Sequence, residues 1–203
     1  MNLNSNVPFL YKFGRLILGP IFKLYYHPTI IGKENIPKKG SIVIAGNHKH
    51  LYDQCLTIVA TKRGIHYMAK KEYFDGKFAW FFKGTGCISV DRSKKDPEAK
   101  EKALKVLKDG GAIGIFPEGT RNKTKEFLLP FKFGAVSMAQ KTDSYIVPFG
   151  ITGDYKFRSK NLTIQYGKPF KVSNMTLEEA NEKLYDEVST LMSVNLLLNR
   201  GKK

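Results

Sequence analysis

The chain has 203 residues, of which 42% are hydrophobic, and a formal charge of +16 at pH 7. That length fits one domain with a substantial core and no need of disulfide support. Its two cysteines, Cys55 and Cys87, lack C-x-x-C or zinc-finger spacing, sit in apolar surroundings and read as inert buried thiols. The positive field attracts anionic lipid, nucleic acid or acidic proteins, and 34 basic residues scattered along the chain do not choose among them.

Val7 to Tyr26 has the most unusual composition. Pro8 suits a helix start, and Gly19-Pro20 should kink or break the helix, so the segment predicts a pair of helices. Lys12, Arg15 and Lys23 fall within roughly 80° on a helical wheel, and the rest of the circumference is apolar or aromatic. The stretch has no signal-peptide pattern, and as a transmembrane span it is short, kinked and carries three cations. It fits an element lying in the bilayer interface, the cations snorkelling to headgroups; simple core helices are the alternative.

Thr29–Gly40 predicts a strand and a Pro/Gly-rich turn, and Ser41–Ala45 a buried strand. The stretch from Ala45 to Asp53 then leads into a helix over Gln54–Lys62. Ile65–Ala69 predicts another strand, in which His66 is structural. Lys70–Lys83 predicts one helix with six aromatics in ten residues, suited to an apolar tunnel, a lipid contact or ordinary core packing. Gly86–Val90 predicts a strand ending in Asp91-Arg92, and Asp96-Pro97 caps a helix through Lys108. Ala112–Phe116 predicts a buried strand, Phe131–Gln140 a helix containing Lys132, and Ser144–Ile151 and Leu162–Tyr166 strands. From Thr176 a long helix sets Leu177, Ala180, Leu184, Val188 and Leu191 on one face. Alternating strands and helices imply a single α/β domain: a mostly parallel or mixed sheet flanked by helices, with residues 1–28 as interfacial helices and 29–203 as the body.

In open α/β sheets, ligands gather outside the carboxyl ends of strands. Four such ends are chemically loaded: His48/Asp53, Asp91-Arg92, Glu118/Arg121 and a turn at Pro148-Phe149-Gly150. A histidine and a carboxylate five residues apart can serve as general base and orienter. On an ideal helix that step is about 500°, leaving the side chains roughly 140° apart. His48 must therefore lie in a non-helical lead-in and Asp53 in the first turn. The alternative is a capping His48 with Asp53 as a partner of the helix dipole. One base among several cations suits an anionic substrate, phosphate above all. No Walker loop or dinucleotide fingerprint occurs. His48-x-His50 with Asp53 could hold a metal, but no second cluster supports one. Nor does a helix-turn-helix, zinc-finger or RNP pattern point to nucleic acid.

Asn47-His48-x4-Asp53, Gly86-x-Ile88-x-Val90-Asp91-Arg92, Phe116-Pro117-Glu118-Gly119-Thr120-Arg121 and Val147-Pro148-Phe149-Gly150 resemble four ordered blocks of the glycerolipid acyltransferases of the 1-acylglycerol-3-phosphate acyltransferase (PlsC) type. The likeness spans roughly residues 30 to 170 and includes Phe131-Lys132-x-Gly134. His50 stands where many members have Ser, and Gln54 where Pro is common. The resemblance implies transfer of a fatty acyl group from an acyl carrier protein or coenzyme A thioester to the sn-2 hydroxyl of lysophosphatidate. It implies His48 and Asp53 as the catalytic pair, with Arg92, Glu118, Gly119, Thr120, Arg121 and Lys132 forming the phosphate site. Glycerol-3-phosphate or another lysolipid is the alternative acceptor. No metal or redox cofactor is expected. The expected partners are an anionic membrane surface, lysophosphatidic acid and the donor thioester, and the expected location is the cytoplasmic face of the cell membrane, peripheral or monotopic.

Overall fold

A computed structural model describes residues 7–91, 93 and 95–200. Its strands are β1 (Thr29–Ile31), β2 (Ile42–Gly46), β3 (His66–Lys70), β4 (Ile88–Val90), β5 (Ala112–Ile115), β6 (Tyr145–Thr152) and β7 (Thr163–Tyr166). They form one sheet in the order β1-β7-β6-β2-β5-β3-β4, every neighbouring pair parallel except β6 and β7. The helices are α1 (Phe9–Tyr26), α2 (Asp53–Ala60), α3 (Glu72–Asp75), α4 (Ala79–Gly84), α5 (Pro97–Lys108), α6 (Gly134–Lys141) and α7 (Leu177–Arg200).

β2 reads as an unbroken apolar run because it is covered on both faces, as parallel strands are. Val43 and Ala45 pack toward Ala103, Ala139 and Leu184, which belong to α5, α6 and α7. Ile42 and Ile44 pack toward Leu56 of α2, with Phe22 and Tyr26 of α1 beside them. The helix ends follow their sequence signals. Asp96 Oδ1 accepts from Ala99 N at 2.9 Å to start α5, and Thr176 and Glu179 bond each other's backbone N–H groups ahead of α7. At the amino-terminal ends of the strands, buried Arg63 donates to the carbonyls of Pro37, Gly40 and Gly110. His66 is buried, its Nδ1 on the Gly86 carbonyl at 2.8 Å, in keeping with a structural role.

Four local expectations are corrected. The N-terminal segment is one continuous helix through Pro20, because α1 is held to the body on both sides of that residue. Toward its start, Tyr11 Oη accepts from Ile65 N at 3.1 Å and Arg15 donates to the Lys62 carbonyl at 2.6 Å. Toward its end, the Tyr26 ring packs edge-on against Tyr155 at 5.6 Å. Arg15 is thus tied to the loop that follows α2. The aromatic segment after β3 is two short helices broken at Gly76, and Tyr73, Phe78, Trp80 and Phe81 are exposed rather than in the core. Lys132 precedes α6 instead of lying in it, its N–H donating to the Pro117 carbonyl at 2.9 Å. Pro148-Phe149-Gly150 is not a turn but the middle of β6, paired with β2 and β7.

Candidate active site at the carboxyl ends of the central strands

β2, with its parallel neighbours β5 and β6, delivers three loops to one rim. β2 ends at Gly46, where a Cβ would lie 2.1 Å from the Phe149 carbonyl oxygen, so only glycine permits this approach. Asn47 comes next and is 4% exposed. Its Nδ2 donates to Ile151 O at 2.9 Å, and its Oδ1 accepts from Ile151 N at 2.7 Å. The side-chain amide thus adds one more rung to the β2–β6 ladder just where the chain leaves the sheet.

His48 follows, in the non-helical lead-in, and Asp53 is the first residue of α2. His48 Nδ1 and Asp53 Oδ2 are 2.8 Å apart. The Asp53 carboxylate is 0% exposed and folds back to accept from Lys49 N and His50 N, both at 2.7 Å on Oδ2. On Oδ1 it accepts from the Tyr155 hydroxyl at 2.7 Å. An ionised carboxylate only accepts, so Nδ1 of His48 carries the proton and Nε2 presents a lone pair. The imidazole lies flat on the Phe116 ring, centroids 4.0 Å apart. His50 turns its ring onto Tyr155 at 4.3 Å.

The loop after β5 grips His48 from the other side. Glu118, 4% exposed, accepts from His48 N at 2.6 Å on Oε1 and from Leu129 N at 3.0 Å on Oε2. Burial pushes its carboxyl above the usual range, against the opposing pull of those two N–H donors. Asn122 N donates to the His48 carbonyl at 2.6 Å. Gly119 holds φ +71°, and a Cβ there would lie 3.0 Å from Cε and Nζ of Lys132, so the lysine stem crosses directly over the glycine. Thr120 is exposed and Arg121 half-buried.

Of the residues expected to form the phosphate site, Lys132 lies against Gly119, and Thr120 and Arg121 are the two residues between Gly119 and Asn122, whose N–H bonds the His48 carbonyl. Glu118 is corrected: both its oxygens are spent on backbone N–H groups, so it braces the base and does not face outward as a ligand. Arg92 lies outside the described residues; β4 ends before it, at Val90. Cys55 and Cys87 are free and half-buried, and burial pushes the Cys55 thiol up to about 11.

The family model described as Acyltransferase matches residues 27–152, from the start of β1 to the end of β6. The 1-acyl-sn-glycerol-3-phosphate acyltransferase of Bacillus subtilis is 32% identical over 181 residues, covering 86% of this chain and 89% of that protein.

The chain belongs to the acyltransferase family.

Proteins of the same name from Borreliella burgdorferi (35% identical, 68% of this chain and 56% of that protein) and Saccharomyces cerevisiae (32%, 91% and 64%) are also similar. The crystal structure of PlsC, the 1-acyl-sn-glycerophosphate acyltransferase of Thermotoga maritima, has the same fold: TM-score 0.73 at 23% identity, over 94% of this chain and 78% of that one. In this acyltransferase two further residues shape the site. Asn47 lies in the motif that carries His48, which by itself gives it no role. Tyr155 has no local signal beyond its position, three residues past the carboxyl end of β6, where the strand-end rule directs attention.

Proposed function

We propose that this acyltransferase moves a fatty acyl group from an acyl thioester to the sn-2 hydroxyl of 1-acyl-glycerol-3-phosphate, forming phosphatidic acid at a membrane surface. The observation that carries the reading is the 2.8 Å pairing of His48 Nδ1 with buried Asp53, which leaves Nε2 as the base. His48 Nε2 takes the acceptor's hydroxyl proton as the oxygen attacks the thioester carbonyl. The C–O bond forms, the C–S bond breaks, and the imidazolium returns the proton to the departing thiolate. Asp53 steadies the imidazolium, and positioned base help of this kind contributes about 10²–10⁴ in rate. Arg121 and Lys132, with Arg92, hold the acceptor phosphate. Lysophosphatidate as acceptor is supported by the names of the similar proteins. Either donor, acyl carrier protein or coenzyme A, is anionic and suits a chain of charge +16.

The membrane reading rests on α1 and its neighbours. No helix among the described residues is long and apolar enough to cross a bilayer. Yet α1 exposes Phe9, Phe13, Leu16, Ile17, Leu18, Ile21 and Leu24, Leu16 at 74%. It packs beside α4, Leu10 against Gly84, where Phe78, Trp80 and Phe81 are exposed too. So large an apolar surface marks an interaction site. Residues 1–28 act as the interfacial element and 29–203 as the catalytic body, bound peripherally or monotopically at the cytoplasmic face.

The test is a thioester-consumption assay with purified protein on anionic vesicles, crossing acyl-coenzyme A and acyl carrier protein donors with lysophosphatidate, glycerol-3-phosphate and a phosphate-free lysolipid. Lysophosphatidate should be acylated at the sn-2 position, and His48→Ala should abolish turnover while leaving the fold intact. Preference for a different acceptor, or substantial turnover by the His48 variant, overturns the reading.

A further inference from the structure

We infer that Tyr155 is a positioning residue for acyl transfer, its hydroxyl fixing the Asp53 carboxylate that orients His48. The inference rests on His48 and Asp53 being the base and its orienter.

The two oxygens of Asp53 are unequally served. Oδ2 collects His48 Nδ1, Lys49 N and His50 N. Oδ1 has one hydrogen-bond partner among the described residues, the Tyr155 hydroxyl at 2.7 Å, supplied from 102 residues farther along the chain. Lys49 N and His50 N belong to the same loop as His48 and would move with it. The Tyr155 contact ties the carboxylate to a different segment, the one leaving β6. Without it, Oδ1 is a buried acceptor lacking a donor, and the carboxylate can rotate about the bond that aims Oδ2 at the imidazole.

The phenol is itself held on several sides. His50 stacks on it at 4.3 Å with planes 18° apart, and Tyr26 of α1 meets it edge-on at 5.6 Å and 82°. Tyr52 closes a third side at 6.3 Å. Lys49 Nζ bonds the Gly153 carbonyl and draws the loop before Tyr155 against the loop after β2. Burial and the adjacent Asp53 charge push the phenol pKa well above its ordinary value, so it remains a protonated donor through any working pH.

A donor on Oδ1 withdraws charge from the carboxylate, which then holds the imidazolium less strongly. Other titratable groups face this pair from every side: Glu118 through the His48 backbone, Lys49, His50 and Tyr52 from the lead-in, Cys55 from α2, Tyr67 from β3 and Tyr26 from α1. Tyr155→Phe changes none of them and keeps the stacked ring, so it isolates the hydroxyl.

The experiment is the pH dependence of kcat/KM, whose acid limb reports the free base. For Tyr155→Phe we expect that limb to rise by roughly half a unit to one unit. We also expect kcat to fall about fivefold to twentyfold, with both KM values within about twofold of wild type. A lowered melting temperature with an unmoved limb would mean the hydroxyl is only structural, and overturns the inference. So does a variant kinetically identical to wild type. As a second measurement, biosynthetic replacement of tyrosine by 3-fluorotyrosine keeps the ring and makes the phenol a stronger donor. It should shift the limb downward in the wild-type chain and not in the Tyr155→Phe background. That protein decides the matter should Tyr155→Phe not fold, an unmoved limb counting against the inference. His48→Ala separates the two levels. Retained activity there sinks the proposed function, whereas a dead His48 variant beside an unaltered Tyr155 variant sinks only this inference.

Discussion

Asn47→Ala should damage stability and turnover together. The substitution removes both partners of Ile151, whose N–H and carbonyl point toward β2 and bond the Asn47 amide at 2.7 and 2.9 Å. Ile151 is fully buried, so water does not readily replace them. Each orphaned group costs about 1–3 kcal/mol, and about 1.5 kcal/mol apiece, in the lower half of that range, sums to roughly 3 kcal/mol. That is a large share of the ~5–15 kcal/mol that holds a typical domain together. For a chain of this size the melting temperature should fall by about 6–12 °C. Asn47→Asp supplies the control: it retains an acceptor for Ile151 N but sets a carboxylate oxygen against Ile151 O, so it should melt at least as low as the alanine variant. Thermal unfolding by circular dichroism measures both. At a temperature where Asn47→Ala is still folded, kcat should fall about tenfold, because His48 is the next residue and has lost its fixed departure from the sheet. A fall of less than about 3 °C, or an Asp variant as stable as wild type, would refute the idea that this amide serves as a ladder rung.

Gly119→Ala should act on the acceptor rather than the donor. Alanine at φ +71° costs about 1–2 kcal/mol, and its Cβ at 3.0 Å from Lys132 Cε and Nζ forces that side chain aside. Steady-state kinetics should show KM for the phosphate-bearing acceptor raised severalfold at constant donor KM; equal rises in both would remove Gly119 and Lys132 from the phosphate site. Glu118 gives a signed pH effect. Its raised pKa means the folded state binds that proton more tightly, so its contribution to stability is fully present below about pH 4 and fades as pH rises through the raised value. The melting temperature of wild type relative to Glu118→Gln should therefore decline as pH rises from about 4 through the raised value, and a constant difference would contradict the burial argument.

Much of this was legible along the chain because the signals are local. β2 and β5 announce themselves as short apolar runs, and α5 shows its Asp96-Pro97 start within four residues. The five-residue step between His48 and Asp53 required a loop-then-helix lead-in, and the observed 2.8 Å contact has that form. Where the reading failed, partners distant in sequence overrode a local rule. Pro20 should have broken α1, but the helix runs on through it, with Tyr11 and Arg15 on one side and Tyr26 on the other tied to the body. Glu118 read as part of a ligand site because a carboxylate between glycine and cations suggests one. Its occupants are the N–H groups of His48 and Leu129, 70 residues back and 11 ahead.

The sequence alone determined an α/β chain whose strand ends carry a histidine, a carboxylate and several cations, because hydrophobic period and residue chemistry are properties of short segments. Only the tertiary structure decided which donors surround Asp53, how Asn47 continues the ladder, and that α1 rests against the tyrosine beside the buried carboxylate. Hydrogen bonds and ring contacts reach only a few ångströms and depend on direction, so their partners are chosen by the packing of β2, β5 and β6 and not by any spacing that can be counted along the chain.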